Sequence, residues 1–336
     1  MEIFSTDWIL KNIYLRGDEM QLLINGSDVA KRAGNFIRSD NVDGLAMSFS
    51  FDVAFNKNDK YLPDLAINPG DKVVFVNGPK AVFAGIIVDE SRGLYERSYT
   101  AYDYGWYLNK NEVIVQFRSM AADAAIQKLC DDFKIPVGSI APMQTKITKI
   151  YNGDTLSDCF RDIIRQVEVD QAKSFRMEVR EGKLYIEPYS DLIIKASFKP
   201  ASNLAPFDST IAPANEHETR SIEDMHNAVK VVSAVEESVQ IIAEASDAVS
   251  MEQFGTLQKV EHIDGKNSAQ AANIAKNLLL EANKIGKGKT VTLLGDDTVR
   301  SGRILDYQGK AFLVRSCTHY YNGTSHTMDL ELEEVS

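Results

Sequence analysis

Residues 97–105 read RSYTAYDYG and residues 315–323 read RSCTHYYNG, so Arg, Ser, Thr, Tyr and Gly recur in one order and spacing near opposite ends of a 336-residue chain. The upstream flanks agree as well. VFVNGPKAVFAGIIVD (74–89) lies without gaps on VTLLGDDTVRSGRILD (291–306), sharing Val74/Val291, Gly78/Gly295, Val82/Val299, Gly85/Gly302, Ile87/Ile304 and Asp89/Asp306. The two blocks give eleven identities over about 32 columns, where average composition would give roughly two. Such agreement marks an internal duplication of one structural unit.

The repeated unit has the patterning of antiparallel β structure. Residues 73–76, a turn at Asn77-Gly78-Pro79 and residues 81–88 predict a hairpin, and residues 94–102 return as a third strand. Upstream, Leu45, Met47, Phe49, Phe51, Val53 and Phe55 alternate with small or polar residues, which predicts a long strand with one buried face. The C-terminal copy carries turn signals at Gly295-Asp296-Asp297, Gln308-Gly309 and Asn322-Gly323, and a last strand in which Met328, Leu330 and Leu332 face one way. Closed or strongly curled antiparallel sheets are expected, not βαβ units.

Helix signals are few. Ser119 stands where a cap would precede the stripe Ala122, Ile126, Leu129, Phe133, and Pro136 follows it. Thr155, with Asp158 in the first turn, would cap a second helix burying Leu156, Phe160, Ile163, Ile164 and Val167. A hairpin turning at Glu181-Gly182 comes next, and a third helix is expected over residues 268–285, through Ala271, Ile274, Leu278 and Ala282. The fold class is therefore α+β and β-rich: a first β-barrel domain over residues 1–108, an α/β insert over 109–195, a linker or irregular strand over 196–225, and a second β-barrel domain with one helix over 226–336.

Composition narrows function by exclusion. The net charge is −11, with no basic cluster, which argues against a protein that grips nucleic acid by neutralising phosphates. It is compatible with one that lets nucleic acid pass without sticking. No apolar run reaches the roughly 18 residues of a membrane span, and MEIFSTDWILKN lacks the pattern of a secretory signal, so folding in a cytoplasm is expected. Cys130, Cys159 and Cys317 have neither disulfide nor zinc spacing and are expected as buried free thiols.

No constellation of catalytic or cofactor-binding residues stands out, so no catalytic, cofactor or metal residue is assigned. GKGKT (286–290) lacks the earlier glycine of a phosphate loop and stands between helix and strand in the wrong order; a helix C-cap accounts for its glycines. YNGDTL (151–156) resembles the start of a LysM repeat without its second half. His319 and His326 flank a turn and could face each other, but with no third ligand in view they are expected as ordinary surface or edge histidines. The pairs Asp131-Asp132, Asp296-Asp297 and Glu333-Glu334 are expected to be solvated.

Three strings carry a resemblance: YDYGWYLNKNEV (102–113), SIEDMHNAVKVV (221–232), and the C-terminal order of helix, Gly288-Lys289-Thr290-Val291, Gly302 and closing hairpins. In these the chain resembles the baseplate hub proteins of contractile phage and phage-like tails, of the XkdQ/YqbQ type found in defective prophages and bacteriocin particles. The resemblance implies a structural protein, not an enzyme and without a cofactor, located in the baseplate of a particle assembled in the bacterial cytoplasm. It implies two tail-tube-like barrels per chain, so that a homotrimer forms a ring of six that joins the sixfold tube to a threefold spike and lines a channel. The implied partners are a tail-tube or tube-initiator protein, the spike protein, and tape-measure and LysM-type tail proteins, with DNA passing without specific binding. The main alternatives are a tail-associated cell-wall-binding or wall-degrading protein and a secreted adhesin.

Overall fold

The computed structural model describes residues 20–62, 64–171, 173–198, 204–235, 238–263, 270–323 and 325–335. Residues 1–19 of the expected first domain, Pro200 of the expected linker and Ser268 at the expected start of the third helix lie outside them. Among the described residues, no helix is long and apolar enough to cross a membrane.

The first repeat unit contributes β1 (Gln21–Ile24), β2 (Ser27–Asp28), β3 (Ala33–Asn41), β4 (Ser48–Ala54), β5 (Lys72–Asn77), β6 (Lys80–Arg92) and β7 (Glu96–Asp103). Gly78, at φ +61°, turns β5 into β6, and Val73 pairs with Gly85 as the hairpin signal predicts. Alternation in β4 places Phe49, Phe51 and Val53 in a core with Phe75, Phe83 and Tyr99. Phe49 stacks on Phe75 and Phe83 at ring separations of 4.9 and 5.0 Å.

The insert follows: β8 (Glu112–Ala121), helix Ala122–Phe133, β9 (Val137–Ile140), β10 (Lys146–Thr155), helix Leu156–Gln171, β11 (Phe175–Arg180) and β12 (Lys183–Pro188). Both helices bury the expected stripes, together with Cys130 and Cys159. The Thr155 hydroxyl accepts a bond from the Asp158 amide at 3.2 Å, as a cap should. Ser119 does not cap the first helix; it sits in a bulge of β8 at φ +53°, and the residue at the cap position is Ala121.

Beyond β13 (Ile193–Ile194), β14 (Ser197–Phe198) and β15 (Phe207–Asp208), the expected linker ends in a regular strand, β16 (Asn215–Ser221). Then β17 (Ala228–Val235), β18 (Ser238–Ser246) and β19 (Gln258–His262) form a separate three-stranded sheet, with helix Ala248–Phe254 between the last two strands. Helix Ala271–Ala282 packs Ile274, Ala275 and Leu278 onto Val229 and Val231. The sequence pattern had assigned this segment to the second barrel; the structure gives it a sheet and core of its own. Last come β20 (Gly286–Leu294), β21 (Ile304–Tyr307), β22 (Lys310–Asn322) and β23 (Ser325–Glu334). Gly286 and Gly288 begin β20 and are not a helix C-cap, which falls at Asn283.

Both repeat units lie in one 13-stranded sheet, whose main path runs β16-β20-β23-β22-β3-β4-β7-β6-β5-β1-β2. This corrects the expectation of two closed barrels. The edge of the first unit that closure would require, β3, is spent on β22, with residues 36–41 paired antiparallel to residues 316–321. Each unit keeps its own interior, that of the second built from Val291, Leu293, Leu305, Val314, Cys317 and Leu330. The copies also pair differently. Strand β5 forms a hairpin with β6, whereas β20 pairs with β16 and β23, and residues 295–303 leave the sheet.

Candidate functional site

Residues 295–303, GDDTVRSGR, occupy the positions that GPKAVFAGI (78–86) fills in the first copy. Where the first copy has Phe83, Ala84 and Ile86, the second has Arg300, Ser301 and Arg303. The segment leaves the sheet because its side chains satisfy its own backbone and that of its neighbours. Asp296 accepts the Thr298 amide at 2.9 Å and the Ser197 amide at 2.8 Å, and the Gly302 amide donates to the Val314 carbonyl at 2.8 Å.

The loop thereby carries its charges to the place where both repeat units meet the insert. Arg38, on β3 and 3% exposed, donates to the Val82 carbonyl at 3.1 Å and the Asp297 carbonyl at 3.3 Å, and lies 3.6 Å from the Asp297 carboxylate. Asn77 donates to the other Asp297 oxygen at 2.7 Å. Asp40, also on β3, accepts the amide of Ser301 at 3.2 Å and stands 3.7 Å from Arg300. From the insert, Arg176 donates to the Val42 carbonyl at 3.0 Å and to the Ser301 hydroxyl at 2.9 Å. Glu178, 2% exposed, meets Arg303 at 2.7 Å, Arg180 at 3.3 Å and Arg300 at 3.6 Å.

Buried charges of this kind persist only when paired, because each has lost its water. Burial alone would raise Glu178, but Arg300, Arg303 and Arg176 together hold its carboxyl below the usual range. Asp103 is the opposite case. Burial pushes its carboxyl up to about 7, against the pull of Arg300 and the Gly105 amide. Burial, Arg38 and the neighbouring His326 push His319 well below the ordinary histidine value, and burial also lowers His326. Cys317 Sγ lies 3.0 Å from His319 Nε2, but the thiol is fully buried and burial holds it well above its ordinary value, so the pair is not poised as a nucleophile and its base. What the arrangement does physically is fasten the β3 end of the first unit, the loop of the second and the β11 face of the insert to one another.

The residues singled out in the sequence distribute around this junction. His319 is not at the surface; it is 1% exposed and faces His326 across the hairpin at 2.9 Å. Asp296 and Asp297 are engaged in the loop and not simply solvated, whereas Asp132 on its helix surface pairs with Lys128 as expected of such pairs. Glu333 and Glu334 pair with Arg315, Lys287 and Lys310. Cys317 is a buried free thiol, and YNGDTL runs from β10 into the helix capped by Thr155. The junction charges escape a sequence search for catalytic spacing. The signal that marks them is divergence between the copies, where one keeps apolar residues and the other places arginines.

A cleft of about 1010 Å³ opens beside the junction, lined by both signs of charge, including Arg161, Arg165, Glu168, Lys259 and Glu281. That mixture selects no ligand charge.

The sequence model of the YQBQ-like family matches residues 38–333. Phage-like element PBSX protein XkdQ of Bacillus subtilis (strain 168) is 26% identical over 279 residues, covering 80% of this chain and 83% of that protein. The 43 kDa tail protein of prophage MuSo2 from Shewanella oneidensis shares the fold with a TM-score of 0.65 at 12% identity, over 94% of this chain and 98% of that one. The tail protein from Neisseria meningitidis MC58 gives a TM-score of 0.65 at 17% identity, over 95% and 97%. At such identities the likeness speaks for the fold, and the fold is shared nearly end to end.

Proposed function

The chain belongs to the YQBQ-like family, and on that premise we propose that it is the structural baseplate hub of a contractile phage tail or phage-tail-like particle. The observation that carries the reading is the likeness in fold to solved tail proteins over almost the whole of both chains, alongside a relative named as part of a phage-like element. The architecture suits a load-bearing part. A continuous sheet and a buried charge junction leave little freedom between the repeat units, as a component that transmits force requires.

In this reading each curled repeat unit takes one tube-like position. Three chains then present six positions to the tail tube above and threefold symmetry to the spike below, around a channel that passes DNA or a tape-measure protein without binding it. Domain limits of 1–108 and 109–195 and assembly in the bacterial cytoplasm are part of the same proposal, while the segment from β17 to helix Ala271–Ala282, with its own sheet and core, stands as a further unit ahead of the second repeat unit. The test is deletion of the gene in a strain that produces the particle. Loss of assembled tails, restored by the gene in trans, supports the reading. Intact contractile tails without the protein would refute it.

A further inference from the structure

Three side chains outside the Arg300–Glu178 pairing converge at the outer end of the junction. His319 on β22 and His326 on β23 lie on one face of the hairpin, because Tyr321 pairs directly with His326 and His319 is two residues along the same strand. Asp297 reaches them from the loop. His319 Nδ1 is 2.9 Å from His326 Nε2, and His326 Nε2 is 3.9 Å from Asp297 Oδ1. One ligand atom from each of the three falls within 4.8 Å of the others.

We propose that Asp297, His319 and His326 bind a divalent transition-metal ion of the zinc class.

The geometry is close to what such an ion needs. Ligand atoms held at about 2.0 Å in a tetrahedron lie roughly 3.3 Å apart; the separations of 2.9 and 3.9 Å each differ from that by about half an ångström, and the third, between His319 and Asp297, is within 4.8 Å, so closing the site asks for a movement of the Asp297 side chain toward the two rings. The tautomer is set by the surroundings. His319 Nε2 is 3.0 Å from both the Val299 carbonyl, which can only accept, and the Cys317 thiol, which is placed to donate to that same carbonyl at 3.6 Å; with Nε2 donating to the carbonyl as well, Nδ1 turns its lone pair inward. A ring nitrogen that donates to a backbone carbonyl while the other faces the ion is the usual outer-shell support of a histidine ligand. His326 supplies Nε2 when its own proton rests on Nδ1, so ligation needs no net ionisation. Gly295 makes room for that ring, since a Cβ there would lie 2.2 Å from the His326 imidazole. Two imidazoles and one carboxylate suit zinc and its neighbours in preference to calcium or magnesium, which take oxygen ligands. The site is reachable, with the side chains of His326 and Asp297 14% and 24% exposed. This leaves a fourth position for water. Arg38 shares the Asp297 oxygen at 3.6 Å and holds the affinity below that of an uncharged setting.

The consequence is mechanical. Asp297 is already tied to Arg38 and Asn77 of the first unit and accepts the Tyr321 hydroxyl of the closing hairpin on Oδ1, so an ion would add a second link between that contact and the hairpin of the second unit.

The experiment uses the untagged full chain, stripped with a chelator and titrated with Co²⁺, whose visible absorption reports nitrogen ligation, followed by displacement with Zn²⁺. The expected result is saturation at one ion per chain and a Zn²⁺-dependent rise in melting temperature. His326→Gln should weaken binding by about 10- to 100-fold or more while its circular dichroism stays that of the parent, and His226→Gln, at a ring just before β17 that contacts the Asp224 carbonyl, should leave binding unchanged. Asp297→Asn should weaken binding similarly but also lower stability through Arg38 and Asn77, so His326→Gln decides. Absence of saturable binding, or binding that survives His326→Gln, would overturn the proposal.

Discussion

Gly85 and Gly302 hold equivalent places in the two copies, yet the structure requires glycine at each for a different reason. A Cβ on Gly85 would lie 2.0 Å from the Tyr102 carbonyl oxygen on the neighbouring strand, and backbone in a ladder cannot step aside. Gly302 has φ +75°, and its Cβ would lie 2.5 Å from Arg176, a side chain committed to Val42 and Ser301. Valine at either position is expected to destabilise by about 1–3 kcal/mol, measured by urea unfolding. Unchanged midpoints for both would remove the structural meaning of the repeated glycine. Asp103 gives a pH-dependent expectation. Its carboxyl is raised to about 7, so above the usual value near 4 the folded chain keeps a proton that the unfolded chain has released. Its favourable contribution is therefore full below pH about 4, falls as pH rises, and is lost above about 7. Asp103→Asn cannot ionise, and its carbonyl oxygen can still accept the Gly105 amide, now 2.9 Å away. Relative to the parent, the variant should gain stability between about pH 4.5 and 7 and level off above that. Unfolding midpoints that differ by a constant amount across that range would contradict this.

Among elements, those governed by local signals were legible in the sequence. The β5–β6 hairpin follows from Asn77-Gly78, the β11–β12 hairpin from Glu181-Gly182, with Gly78, Glu181 and Gly182 at positive φ, and the Leu156–Gln171 helix from its cap and stripe. What could not be read there is which strand each edge chooses. Ile87 pairs with Ala101, but its counterpart Ile304 pairs with Leu313, because the β21–β22 turn comes earlier, at Gln308-Gly309. That choice depends on β23 and β16 flanking β20, contacts made across long stretches of chain. The separate sheet of β17, β18 and β19 was also hidden, since its parallel β17–β19 pair leaves no hairpin signal. The junction was missed for a related reason. Asp40, Glu178 and Arg300 come from distant segments, and charged residues read singly predict solvent, not burial.

For the whole molecule, the duplication acquires meaning only through the way the copies are joined. The β22–β3 ladder fixes the angle between them, and the charges of residues 297–303 hold the insert against both. A chain with two rigidly related copies of one unit can fill two neighbouring places of a ring, and closed rotational symmetry then supplies every edge with an identical contact. Isolated chains need not assemble, because a single contact must first offset the entropy of association. Monomers in solution are therefore compatible with the account. The most direct measurement is the copy number and symmetry of this chain at the tip of assembled particles, by cryo-electron microscopy. Three copies whose repeat units form a quasi-sixfold ring are the predicted result; six copies, one copy, or tails that lack the chain would contradict it.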